Sequence, residues 1–288
     1  MSVKAFVLNS SFPVLRHMIF LSAMVLNFII SAGTASAQGD LFINPKRIVF
    51  ENQKRSEEIS LANTSTDSAR YVISFVQIRM KARGEFEQIN QPDSGQYFAD
   101  KNLRIFPRTV TLGPKETQVV KVQTYQKENL KAGEYRSHLY FRAVPQEKPA
   151  GQKLPQADSG QVSINIKAVF GITIPVIIRV GESNTQVSLS NLKLETIKNS
   201  APVLSLQVNR QGNTSTYGDL IVNYLDAAGK ATRVAAVKGI SVYTPTPLRQ
   251  VKISLNDFKV AAAGQLQVVY TGTVSGKTIT YASALLSL

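Results

Sequence analysis

From Asp40 onward the chain is written almost entirely in a period of two. Short runs rich in Val, Ile, Phe and Tyr alternate with polar residues and stop at Gly, Pro, Asn or Asp. In an extended backbone alternate side chains point to opposite faces, so this pattern suits sheets with one buried and one wetted face. Helical periodicity is essentially absent. A first group of candidate strands falls at 41–50, 57–63, 70–80, 103–106, 116–124, 135–143 and 162–180. Seven strands in about 140 residues fit an immunoglobulin-like sandwich. Pro92-Asp93-Ser94-Gly95 and Gly113-Pro114-Lys115 supply the turn chemistry between them.

A second series follows Gly181, at 186–195, 203–210, 219–225, 231–243, 249–255, 264–271 and 277–286, with Asp226-Ala227-Ala228-Gly229-Lys230 and Ser275-Gly276-Lys277 as hairpin turns. No fixed-period repeat is visible, which argues against a solenoid. The expected fold class is all-β, with two immunoglobulin-like β-sandwich domains in tandem, 38–180 and 181–288. Residues 145–161 form the most loop-like stretch, since Pro145, Pro149, Gly151, Pro155 and Gly160 interrupt it.

Residues 1–37 have the features of a secretory signal peptide. Lys4 and Arg16 precede the apolar run from Met18 to Ile30, and Ala35-Ser36-Ala37 offers small residues for cleavage. The run is shorter than the roughly 20 residues a membrane-spanning helix needs, so the expectation is export with no stable membrane insertion. Export permits disulfides, but the chain has 0 Cys, and both sandwiches must rest on apolar packing. The net charge of +14 favours acidic partners. Nucleic acid is not expected among them, because no basic helix or glycine-punctuated aromatic motif accompanies the charge. Scattered Lys and Arg also discourage promiscuous pairing of sheet edges.

The segment from Val162 to Val180 is several times the ordinary strand length of about five or six residues. Ile164, Ile166, Ala168, Phe170, Ile172, Ile174, Val176 and Ile178 share one parity and would line one face. From Ile164 to Ile178 that row would extend about 46 Å at roughly 3.3 Å per residue, more than one small core can cover. Part of it is expected to project as a sticky edge or a binding device; the alternative is that only Ile172 to Ile178 is strand and fills a core while the first half is loop.

Several motifs of the first half resemble those of periplasmic chaperones of the chaperone and usher pili, the PapD-like family. They are Asn44-Pro45-Lys46-Arg47-Ile48-Val49-Phe50, Leu61-Ala62-Asn63-Thr64, Ile105-Phe106-Pro107 with Leu112-Gly113-Pro114-Lys115-Glu116, Gly133-Glu134-Tyr135-Arg136-Ser137-His138-Leu139, and Ile174-Pro175-Val176-Ile177-Ile178-Arg179. The resemblance covers roughly residues 40 to 180 and is weak beyond Gly181. It implies a periplasmic protein that holds pilin subunits by lending them a strand and passes them to an outer-membrane usher. Ile164, Ile166, Ala168 and Phe170 then correspond to the donor side chains. Arg47 matches the first of two basic residues that grip the pilin's C-terminal carboxylate. At the second position this chain has Pro175, which carries no charge, and Arg136 on the neighbouring strand is the candidate substitute. Arg179 matches an arginine of the domain junction whose acidic partner the sequence does not name.

Enzymatic chemistry is poorly provided for. With no Cys, and His138 the one histidine beyond the leader, thiol catalysis and the usual zinc sets are missing, and no nucleophile elbow or phosphate loop appears. No cofactor is implied. The competing function is a secreted adhesion or scaffold module built on the same sandwiches. Such a module would have no need to expose Ile164 to Phe170.

Overall fold

The computed structural model describes residues 41–145, 169–196, 200–256, 258, 263–274 and 276–288. Strands β1 (Leu41–Asn44), β2 (Ile48–Phe50), β3 (Ser56–Asn63), β4 (Ala69–Val76), β5 (Ile78–Met80), β6 (Phe86–Gln88), β7 (Leu103–Phe106), β8 (Thr109–Leu112), β9 (Thr117–Thr124), β10 (Gly133–Val144) and β11 (Gly171–Val180) make up the first half. The second half has β12 (Gln186–Glu195), β13 (Val203–Gln211), β14 (Thr216–Leu225), β15 (Ala231–Val242), β16 (Leu248–Ser254), β17 (Gln265–Val274) and β18 (Lys277–Ser287). Sheets ordered β1-β3-β9-β7 and β2-β11-β10-β4-β8 face each other in the first sandwich, and β12-β13-β16 and β15-β14-β17-β18 form the second. The all-β, two-sandwich expectation is met.

Several strands differ from their sequence reading: β6 has no counterpart in it, and the run read at 162–180 is strand only from Gly171 among the described residues, with Val169 and Phe170 outside it. The run 41–50 is two strands, because Pro45 cannot donate a ladder hydrogen bond and the chain changes sheet there. β1 pairs antiparallel with β3, whereas β2 pairs parallel with β11 through Val176↔Ile48, Ile177↔Val49 and Ile178↔Phe50. The crossing leaves Lys46 and Arg47 at one end of the sandwich. The run 70–80 also divides, since β5 leaves β4's sheet to pair with β6 as a separate hairpin. Thr109–Leu112 is a four-residue strand that Pro107 and the Gly113-Pro114 turn hide in the sequence.

Each sandwich closes on its own apolar core. The first gathers Phe50, Leu61, Leu112, Leu139, Phe141 and Val176, and the second Leu204, Val208, Val222, Leu266, Val268 and Tyr270. Burying each large side chain contributes about 1.5–3 kcal/mol before ordering costs. A third, small cluster joins Met80, Val49 and Ile177 of the first half to Tyr243, which follows β15 in the second. Residues of one β11 face therefore serve the first core while Ile177, on the other face, serves the junction.

Candidate functional site

Two features of β11 converge near the junction. The first is a gradient along its apolar face. Ile178 and Val176 are 0% exposed and Ile174 is 3%, but Ile172 rises to 37% and Phe170 to 49%. The row thus leaves its own core as it runs back toward Phe170. Of the four donor residues expected from sequence, Phe170 is the one among the described residues; Ile164, Ile166 and Ala168 lie outside them.

The second feature is an open edge. Ala143 of β10 donates its backbone N–H to the Phe170 carbonyl at 3.0 Å, which makes 143/170, 141/172 and 139/174 the hydrogen-bonded pairs. By alternation Gly171, Thr173 and Pro175 turn their backbone groups away from β10. On that side β2 reaches only Val176–Ile178, so no described strand pairs with residues 171–175 there. Pro175 is tolerated at this point because the missing N–H faces an edge. An unpaired edge beside exposed apolar side chains, here Val169, Phe170 and Ile172, is a geometry that accepts an added strand.

A cavity of about 230 Å³ opens beside this edge, lined by Lys46, Arg47, His138, Tyr217, Tyr243 and Arg249, with Thr173 and Pro175 on the β11 side. None of its lining side chains is acidic. Half-buried Arg47 donates from Nη1 to the Tyr243 hydroxyl at 3.2 Å and lies 4.9 Å from the Tyr217 ring centre. Arg136, 3% exposed, stacks 4.2 Å over the Tyr243 ring and donates to the Thr244 carbonyl at 3.2 Å. Its Nε and Nη1 have no partner, and burial, the largest cause, lowers its pKa. Among the described residues, no carboxylate oxygen comes within 4.0 Å of Arg47, Arg136 or Arg249. Guanidiniums gathered with no carboxylate in contact favour an anionic guest.

His138 is held between the rings of Phe86 and Tyr243, 6.2 and 6.1 Å away, with Nδ1 unpartnered. Burial first, then the charges of Arg136 and Arg47, pull its pKa down to about 3. An unfolded histidine takes up its proton near pH 6.5. Between about pH 6.5 and 3 the unfolded chain therefore binds the extra proton, and stability falls as pH falls through that window. Unfolding free energies measured in urea from pH 7 to 4 should show His138 contributing up to about 1.4 kcal/mol of loss per pH unit. His138→Gln should remove that slope, and an unchanged slope would contradict the assignment.

The sequence could not name the partner of Arg179. It is Glu134, its register partner on β10, with a contact of 3.1 Å from Nε, and more loosely Glu51 at 3.5 Å. Arg179 also donates to the Ser215 carbonyl at 2.8 Å, and Glu134 accepts from the Ser215 N–H at 2.9 Å, from the Ser215 hydroxyl and from the Thr244 hydroxyl at 3.3 Å. This network locks the second half to the first. Glu134, Arg136 and His138 alternate along β10 opposite Leu139, Phe141 and Ala143; three polar residues at every second position are the signal that marks a junction face. A larger groove of about 930 Å³ also runs along the junction, but it sets Glu51, Glu128 and Glu182 beside Arg55, Lys127 and Arg179. Its lining holds both signs of charge, whereas that of the smaller cavity holds basic side chains and no acidic one.

Residues 40–179 match the family model described as pili and flagellar-assembly chaperone, PapD N-terminal domain. Over these residues the chain carries a domain of the PapD-like chaperone family. Among solved structures, the chain is 13% identical to the Pseudomonas aeruginosa CupB2 chaperone, covering 86% of this chain and 100% of that one with a TM-score of 0.41. With the E. coli chaperone DraB the identity is 13%, the coverage 86% and 95%, and the TM-score 0.39. A third, the Salmonella enterica SafA pilin in complex with the SafB chaperone, gives 12% identity, coverage of 88% and 99%, and a TM-score of 0.40. No curated protein matches. Among the described residues the chain has no helix long and apolar enough to cross a membrane.

Proposed function

We propose that the chain is a periplasmic chaperone that binds pilin subunits by donor-strand complementation and delivers them to an outer-membrane usher. Residues 1–37 direct export, 38–180 form the donor domain and 181–288 the second domain. The observation that carries this reading is the burial gradient along β11 and the residue before it, in which one apolar parity passes from 0% exposed at Val176 through 37% at Ile172 to 49% at Phe170. Continued at the same parity, the row would offer Ala168, Ile166 and Ile164 to the groove of a client that lacks a strand. Main-chain hydrogen bonds along the open edge would give affinity, and alternate side chains in pockets would give specificity. Arg47, beside that edge in a cavity without acidic side chains, would hold the client's terminal carboxylate.

Co-expression with the pilin subunits encoded beside it tests the proposal. A soluble one-to-one complex is expected, and Arg47→Ala should weaken capture about tenfold or more, as fits loss of a charge-assisted hydrogen bond worth about 1.5–3 kcal/mol. Subunits that stay insoluble or pass through uncaptured would instead favour an adhesion or scaffold role.

A further inference from the structure

We propose that Arg249, supplied by β16 of the second sandwich, is the second cation of the carboxylate-holding cleft and faces Arg47 of the first. The inference rests on the carboxylate reading above and adds a residue to it. Where the family resemblance places a second basic residue, this chain has Pro175, and β11 lines the cavity beside Arg47 only with Thr173 and Pro175, neither of them charged. The companion comes across the junction. Arg249 lines the same cavity of about 230 Å³ as Arg47 and Lys46.

Its guanidinium is fixed in place. Nη1 donates to the Ser241 carbonyl at 3.0 Å. The opposite side packs so closely on Gly84 that a Cβ there would come within 2.7 Å of Nε and 2.9 Å of Nη2. Gly84 has φ +86°, so glycine suits the position twice over, by conformation and by space. The neighbouring Gln250 N–H donates to the Ala82 carbonyl, and Thr246 donates to the Met80 carbonyl, both in the first half. These bonds tie the start of β16 to the β5-β6 hairpin and hold Arg249 against the first sandwich.

An independent observation points to a guest. His138, 3% exposed, lines the cavity with Nδ1 unpartnered, a neutral imidazole able to place a proton there and donate it. A carboxylate seated between Arg47 and Arg249 would meet two guanidiniums, one from each sandwich, beside that donor. Its two oxygens suit such a divided grip.

Acetate, titrated into the exported chain against chloride at constant ionic strength, is the probe, followed by the side-chain Nε–H resonances of arginine. Resonances of Arg47 and Arg249 should move along one isotherm, and Arg249→Gln should weaken the acetate constant about tenfold, with Arg249→Lys recovering part of it. If Arg47 responds while Arg249 stays still, or Arg249→Gln binds acetate as the parent does, Arg249 is not an anchor and the carboxylate reading survives. If neither arginine responds, the carboxylate reading itself falls.

Discussion

Glu134→Ala should cost the protein about 3–5 kcal/mol, the range expected when one partner of a buried ion pair is removed. The Glu134 side chain is 0% exposed and spends its acceptor capacity on Arg179, on the Ser215 N–H and hydroxyl, and on the Thr244 hydroxyl. A carboxylate can accept about four hydrogen bonds, and here essentially all are used. Removing it strands the Arg179 charge, which is 23% exposed, together with donors of the second sandwich that water reaches poorly. Glu134→Gln should recover little, because its amide N–H₂ would meet groups that are already donors. Glu51→Gln makes the contrast. Its contact with Arg179 is 3.5 Å long and the side chain is 50% exposed, so the loss should stay below about 1 kcal/mol. Urea unfolding of the three variants measures the ordering; equal small losses would mean that the network does not hold the two halves together.

The fold was legible because its information is local. A period of two declares itself over a few residues, and every strand of the second half was found from it. What escaped depends on partners that sequence does not display. Pro45 looks like an interruption within one strand, yet it is where the chain leaves β3 for β11. β8 is too short and too tightly bracketed by Pro107 and Pro114 to produce a pattern.

The site was half legible for the same reason. Arg47 stood inside a recognisable motif, but Arg249 enters the cleft from the other sandwich. A trace of it was present: Arg249 shares the parity of Val251 and Ile253, the inward side of β16. A charge on the buried parity of a strand needs a reason, and here the cleft supplies one. Arg136, the substitute anchor suggested by adjacency, lies behind the Tyr243 ring instead of on the cavity wall. Adjacency along a sheet does not reveal which group the bulk of a tyrosine will cover.

Ile166→Asp combined with Phe170→Asp should abolish capture of pilin subunits while leaving the fold intact. Phe170 is 49% exposed, so a polar replacement there should change stability by no more than about 0.5 kcal/mol. In a client groove the same side chain would be buried, and each large apolar contact contributes about 1.5–3 kcal/mol. Losing two would therefore cost about 3–6 kcal/mol, a fall of roughly a hundredfold to ten-thousandfold in affinity, and an unpaired carboxylate forced into the groove adds to it. Val176→Asp separates the two ends of the row: Val176 is 0% exposed, so this change should unfold the first sandwich whether or not a client is present. Circular dichroism and subunit pull-down on the same preparations read fold and capture independently. Retained capture by the folded double variant would show that the exposed end of β11 is not what clients bind.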